Sequence, residues 1–126
     1  TQLLNYCACH PDATVRYKAS EMHLHIHSDA SYLSVAKARS RAGGIFFLRN
    51  VPSNEPPDPN LIPSPTNGPI HIHCSIIKHV LSSATEAEFG ALFFNGKECA
   101  MLHTTLDEMG HPQPAPPIQT DNSCPL

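Results

Sequence analysis

Met22-His23-Leu24-His25-Ile26-His27-Ser28-Asp29-Ala30 alternates along its length and closes on a carboxylate. A period of two sends successive side chains to opposite faces, so this stretch predicts a β-strand with Asp29 at its end. Beyond it, residues 31–42 are small, polar and basic and read as a connecting loop. Gly43-Gly44 then leads into Ile45-Phe46-Phe47-Leu48, a short apolar run suited to a buried strand. Ile70 to Lys78 alternates again and predicts a third strand. The intervening stretch, 51–69, is dense in proline, which neither donates to a sheet ladder nor sits inside a helix. It reads as a long insertion at the tip of an antiparallel hairpin. On the upstream side, residues 2–9 look like the last turns of a helix, ended by His10-Pro11-Asp12, and Val15 to Ala19 suit a short strand.

The longest helical pattern runs from Ser83 to Met109. Ser83-x-x-Glu86 predicts a capping box, and Gly110 followed by His111-Pro112 predicts the stop. Gly90 and Gly96 weaken the interior, each by roughly 1 kcal/mol against alanine, which makes a break near Gly96 plausible. Pro112 to Pro117 is a stiff linker into a last short strand, Ile118-Gln119-Thr120. The expected order is three antiparallel strands, a helix, then a strand parallel to the first, in one mixed α/β sheet.

Composition bounds the rest. A chain of 126 residues is one domain at most. With 40% hydrophobic and 15% charged residues and a formal charge of −3, it is globular and not broadly suited to nucleic acid. It carries no apolar run of membrane-spanning length and no basic-then-apolar leader, so no membrane partner is expected. Cys7, Cys9, Cys74, Cys99 and Cys124 are an odd, scattered set, which suits reduced thiols inside a cell better than disulfides or zinc. The chain starts at Thr1 and stops soon after its last acidic stretch, and is read as a fragment of something longer.

Three acidic residues stand where a metal-dependent nuclease would need them. Asp29 and Asp121 follow the first and last strands, and if those strands are parallel neighbours both lie on one edge of the sheet. The helix offers Glu86 and Glu88. At ~100° per residue, Ala84, Glu88, Ala91, Leu92, Asn95, Cys99, Leu102 and Leu106 share a stripe that is apolar apart from Glu88 and Asn95. Glu86 points nearly the opposite way and belongs to the cap. A carboxylate on a buried stripe is costly unless paired or metal-bound, which singles out Glu88.

Nine histidines invite another metal reading, in which adjacent strands bring His23-x-His25-x-His27 and His71-x-His73 alongside one another. A ladder of imidazoles along a strand spans too far for one zinc or nickel ion, and a partly exposed sheet face is the simpler account.

The blocks of this chain resemble those of the ribonuclease H domain of copia-type retrotransposon polyproteins. The residues concerned are Ser28-Asp29-Ala30, Arg39-Ser40-Arg41-Ala42-Gly43 before Phe46-Phe47-Leu48, Ser82-Ser83-Ala84-Thr85-Glu86-Ala87-Glu88-Phe89, and Asp121-Asn122-Ser123, in the family's order. The resemblance implies a ribonuclease H-like domain over 20–126, truncated at its C-terminal side. Residues 1–19 would then close the connection segment that follows a reverse transcriptase domain in the same polyprotein. It further implies hydrolysis of the RNA strand of an RNA–DNA hybrid, with Asp29, Glu88 and Asp121 holding two Mg²⁺ (or Mn²⁺) ions. Lys37, Arg39, Arg41 and Asn122 would contact nucleic acid, and the location would be intracellular, in cytoplasm, virus-like particle or nucleus. The alternative is a catalytically silent fragment that keeps the fold and binds nucleic acid weakly.

Overall fold

The computed structural model describes residues 2–50 and 67–121. Six elements follow in order: α1 (Gln2–Cys9), β1 (His23–Val35), β2 (Arg39–Arg49), β3 (Pro69–Ile77), α2 (Ala84–Glu108) and β4 (Ile118–Thr120). The four strands form one mixed sheet in the order β3-β2-β1-β4. β1 pairs antiparallel with β2, β2 antiparallel with β3, and β1 parallel with β4. The α/β class, the three-strand antiparallel set and the parallel return after the helix all agree with the alternation and crossover arguments.

Alternation assigns the faces. Leu24, Ile26, Phe46 and Leu48 pack against Cys99 and Leu106 of α2 in the main core, with Ala42, Ile77 and Ala91 forming a smaller cluster. Burying such side chains is worth roughly 1.5–3 kcal/mol each, which is what fixes α2 to this face. His23, His25, His27 and Asp29 occupy the other face by the same alternation. There Phe47 is buried, with His25 stacked at 6.1 Å and His27 edge-on at 4.8 Å.

Three expectations change. Residues 31–42 are not a loop: β1 continues to Val35, a tight turn spans 36–38, and β2 starts at Arg39. Lys37 and Ala38, at φ 65° and 51°, supply the left-handed backbone that such a turn needs, although neither is a glycine. Asp29 therefore lies in the body of β1, opposite Gly43, instead of at its end. Val15 to Ala19 is not a strand either. It is held by Gly68 N–H donating to Arg16 O at 2.9 Å and by the Asn67 side chain, which bonds both backbone groups of Lys18. One side-chain amide replaces the repeated backbone ladder that would define a strand. The helix, finally, has no break at Gly96. Most of 51–69, including its expected insertion loop, lies outside the described residues.

Both ends of α2 behave as capped termini. Ser83 Oγ accepts from the Glu86 N–H at 3.1 Å, but the Glu86 carboxylate reaches one residue further back than expected, to Ser82 N–H and Oγ at 2.6 and 2.7 Å. At the other end Gly110 has φ 90°, and the Gly110 and His111 N–H groups return to Asp107 O and Leu106 O, both at 3.0 Å. That is the Schellman arrangement, and a side chain at Gly110 would be strained. Among the described residues no helix is long and apolar enough to cross a membrane.

Candidate metal centre

The edge of β1 that faces β4 carries a row of backbone N–H donors. Leu24 N–H is taken by Gln113 Oε1 at 2.9 Å, whose Nε2 in turn donates to Met22 O, and Ile26 N–H by Pro117 O at 3.2 Å. The proline linker is thus stitched to β1 before β4 begins. β4 then runs in register, Ile26 with Ile118, His27 with Gln119 and Ser28 with Thr120. One residue further, Asp29 and Asp121 lie side by side where β4 has ended. Past that point the next donor on the edge, Ala30 N–H, is taken by Glu88 Oε1 at 3.2 Å.

Glu88 reaches the sheet because its end of α2 packs on small residues. Ala87 and Ala91 are fully buried, and Ala91 packs with Ala42 and Ala30. Thr120 Oγ donates to the second Glu88 oxygen at 3.3 Å. Asp29, Glu88 and Asp121 each offer an oxygen, and these oxygens lie within 4.8 Å of one another. Glu88 is half-buried and the two aspartates are exposed, beside a cleft of about 190 Å³ lined by His27, Ser28, Asp29, Gln119, Thr120 and Asp121.

Three carboxylates this close repel one another. Burial raises the Glu88 carboxyl above its ordinary range, and the charges of Asp121 and Asp29 add to the rise, against the Ala30 and Thr120 hydrogen bonds that lower it. A cation reverses that balance. An all-oxygen donor set suits hard divalent ions such as Mg²⁺, Mn²⁺ or Ca²⁺ in preference to zinc. The three residues could hold a metal ion.

Neither a family model, a curated protein nor a solved structure matches this chain.

Of the expected site residues, Asp29, Glu88 and Asp121 come together. Glu86 stays in the cap, where hydrogen bonds from the Ser82 side chain and backbone lower its carboxyl below the usual range. Lys37 stands in the turn between β1 and β2, away from the carboxylates along the strands, while Arg39 and Arg41 lie on the face of β2 that carries Asp29's partner Gly43. Arg41 reaches toward Cys74 Sγ at 3.9 Å. Asn122 lies outside the described residues. The two histidine runs do not meet. Those of β1 face away from α2, whereas His71 approaches Glu98 of α2 at 3.6 Å and His73 stacks on Phe94, with β2 between the strands. Among the described residues, the acidic trio is the one group of three or more possible ligands close enough for an ion.

Sequence reasoning missed the supporting groups. The Ala30 amide and Thr120 hydroxyl had no visible signal. Asn95 had one, as the second polar residue on an otherwise apolar stripe.

Proposed function

We propose that this chain is a ribonuclease H-like domain of the copia-type retrotransposon kind, hydrolysing the RNA strand of an RNA–DNA hybrid. The observation that carries the reading is the convergence of Asp29, Glu88 and Asp121 from a central strand, a facing helix and a parallel neighbouring strand. The strand order and the crossover helix are compatible with that fold. Mg²⁺ or Mn²⁺, as two ions held by Asp29, Glu88 and Asp121, would supply an activated water and charge stabilisation for phosphodiester cleavage. Asp29 and Asp121 present exposed oxygens at the cleft for this purpose. Glu88 faces them from the helix, oriented by Ala30 N–H and Thr120 Oγ so that its charge is aimed before substrate arrives. Arg39 and Arg41, on the face of β2 that carries Gly43, would supply positive charge for phosphate contacts that position the hybrid without reading its sequence.

The test is cleavage of a labelled RNA–DNA hybrid. Cleavage that needs Mg²⁺ or Mn²⁺ and falls at least a hundredfold in Asp29→Asn supports the enzyme. Equal trace activity in the two proteins supports a silent fragment that keeps the fold.

A further inference from the structure

A buried asparagine in the middle of an apolar helix stripe needs a reason. Asn95 has no exposed surface, and its amide lies under the part of the sheet that carries Asp29. Nδ2 donates to Ser28 Oγ on β1 at 2.9 Å and to Gly43 O on β2 at 2.8 Å. Ser28 precedes Asp29 in β1, and Gly43 is the residue paired with Asp29 across the ladder. The one amide therefore ties α2 to both strands immediately beside the aspartate. Gly44, paired with Ser28, makes this possible, because a Cβ on it would overlap the Asn95 amide.

The arrangement carries a cost. Asn95 Oδ1 is buried without a hydrogen-bond partner, which penalises the folded state. Asn95 also lies between the two apolar clusters, the one around Phe46 and the one around Ala91. A leucine here would remove that orphan oxygen, but it would leave Ser28 Oγ and Gly43 O without the amide that serves them, and its methyl groups need more room than the amide. Asparagine offers what leucine lacks, a directional link that sets the height and rotation of α2. Glu88 lies seven residues earlier on the same helix, two turns away on nearly the same face. Its reach to Ala30 N–H depends on that height and rotation.

We infer that Asn95 is the positioning residue of the carboxylate trio: its amide locks α2 to Ser28 and Gly43, and so holds Glu88 against Asp29 and Asp121. The geometry stands on the hydrogen bonds themselves, while its value for metal binding rests on the proposed metal-site reading. Asn95 touches neither metal nor substrate and acts through Glu88.

Two readouts on Asn95→Leu test this. The first is amide hydrogen exchange at Ala30, followed by NMR in metal-free buffer, since that N–H is protected by Glu88. The second is Mn²⁺ affinity by calorimetry. Asn95→Leu is expected to lose at least tenfold of Ala30 protection relative to the amides of the β2–β3 ladder, and at least tenfold of Mn²⁺ affinity. Ser28→Ala, which removes one acceptor with little change of volume, moves both readouts in the same direction and serves where the leucine variant does not fold. Unchanged Ala30 protection in either folded variant overturns the positioning role. Reduced protection in a protein whose wild type takes up no Mn²⁺ upholds the positioning role and removes the metal reading instead.

Discussion

Glu88 holds a negative charge in a half-buried place between two others, and its sign of pH dependence follows from that. Its folded carboxyl titrates above the unfolded value of 4.5, so the folded chain holds this proton more tightly than the unfolded one. The associated stability is present at low pH and is lost as pH rises from 4.5 through the raised folded value. His25 acts at the other end of the scale. Burial first, then the charges of Arg49, His23 and His27, lowers its folded value below 6.5, so its stability is present above 6.5 and lost as pH falls through the lowered value. The two contributions to the metal-free melting temperature therefore oppose one another: as pH rises from 4.5 that of Glu88 is lost, while that of His25 is gained in full by 6.5. Glu88→Gln removes the first of them, so its melting temperature should gain on that of wild type as pH rises, and millimolar Mg²⁺ should raise the wild type but not the variant. A thermal-melt series from pH 4 to 8 reads both; a difference between wild type and Glu88→Gln that does not change with pH would remove Glu88 from the repulsive cluster.

At the scale of elements, α2 is the part on which the site depends, and its N-cap, Ser83, lies five residues before Glu88. Ser83→Ala, which removes the acceptor for Glu86 N–H, is expected to cost about 1 kcal/mol in a urea unfolding titration. Much of this element was legible. Its start, its stop and the side of Glu88 follow from Ser83, Gly110 and a 3.6-residue period, because caps and amphipathic stripes are local signals. The strand over 31–35 was not, because Ser31 to Ser34 is exposed without a clean alternation, and only Ser31 and Val35 pair with β2, across an irregularity in the ladder. The turn was hidden for a related reason: Lys37 and Ala38 adopt positive φ without the glycine or asparagine that usually marks it. Val15 to Ala19 failed in the opposite sense, since apolar alternation was present but its partner is the Asn67 side chain.

Across the whole molecule, the site exists only because elements far apart in the chain close on one another. Asp29 and Asp121 share an edge because β4 returns parallel to β1, and a parallel return after a helix is a rule of connection visible before any coordinates. The contacts that make the edge exact in height were beyond sequence reasoning: Gln113 standing in for a strand residue beside Leu24, and Asn95 joining Ser28 to Gly43. Such side-chain bridges depend on register, and register is settled only when the strands pair. The two histidine runs illustrate the same point, since alternation was read correctly on each strand and the faces still turned out opposite. If Asp29, Glu88 and Asp121 form a divalent-ion centre, anomalous scattering from a crystal soaked in Mn²⁺ finds manganese on them. Two peaks roughly 3.5–4 Å apart, each in contact with these carboxylates, are the expected result. No peak at the trio, or manganese bound only at the histidines of β1 or β3, would contradict it.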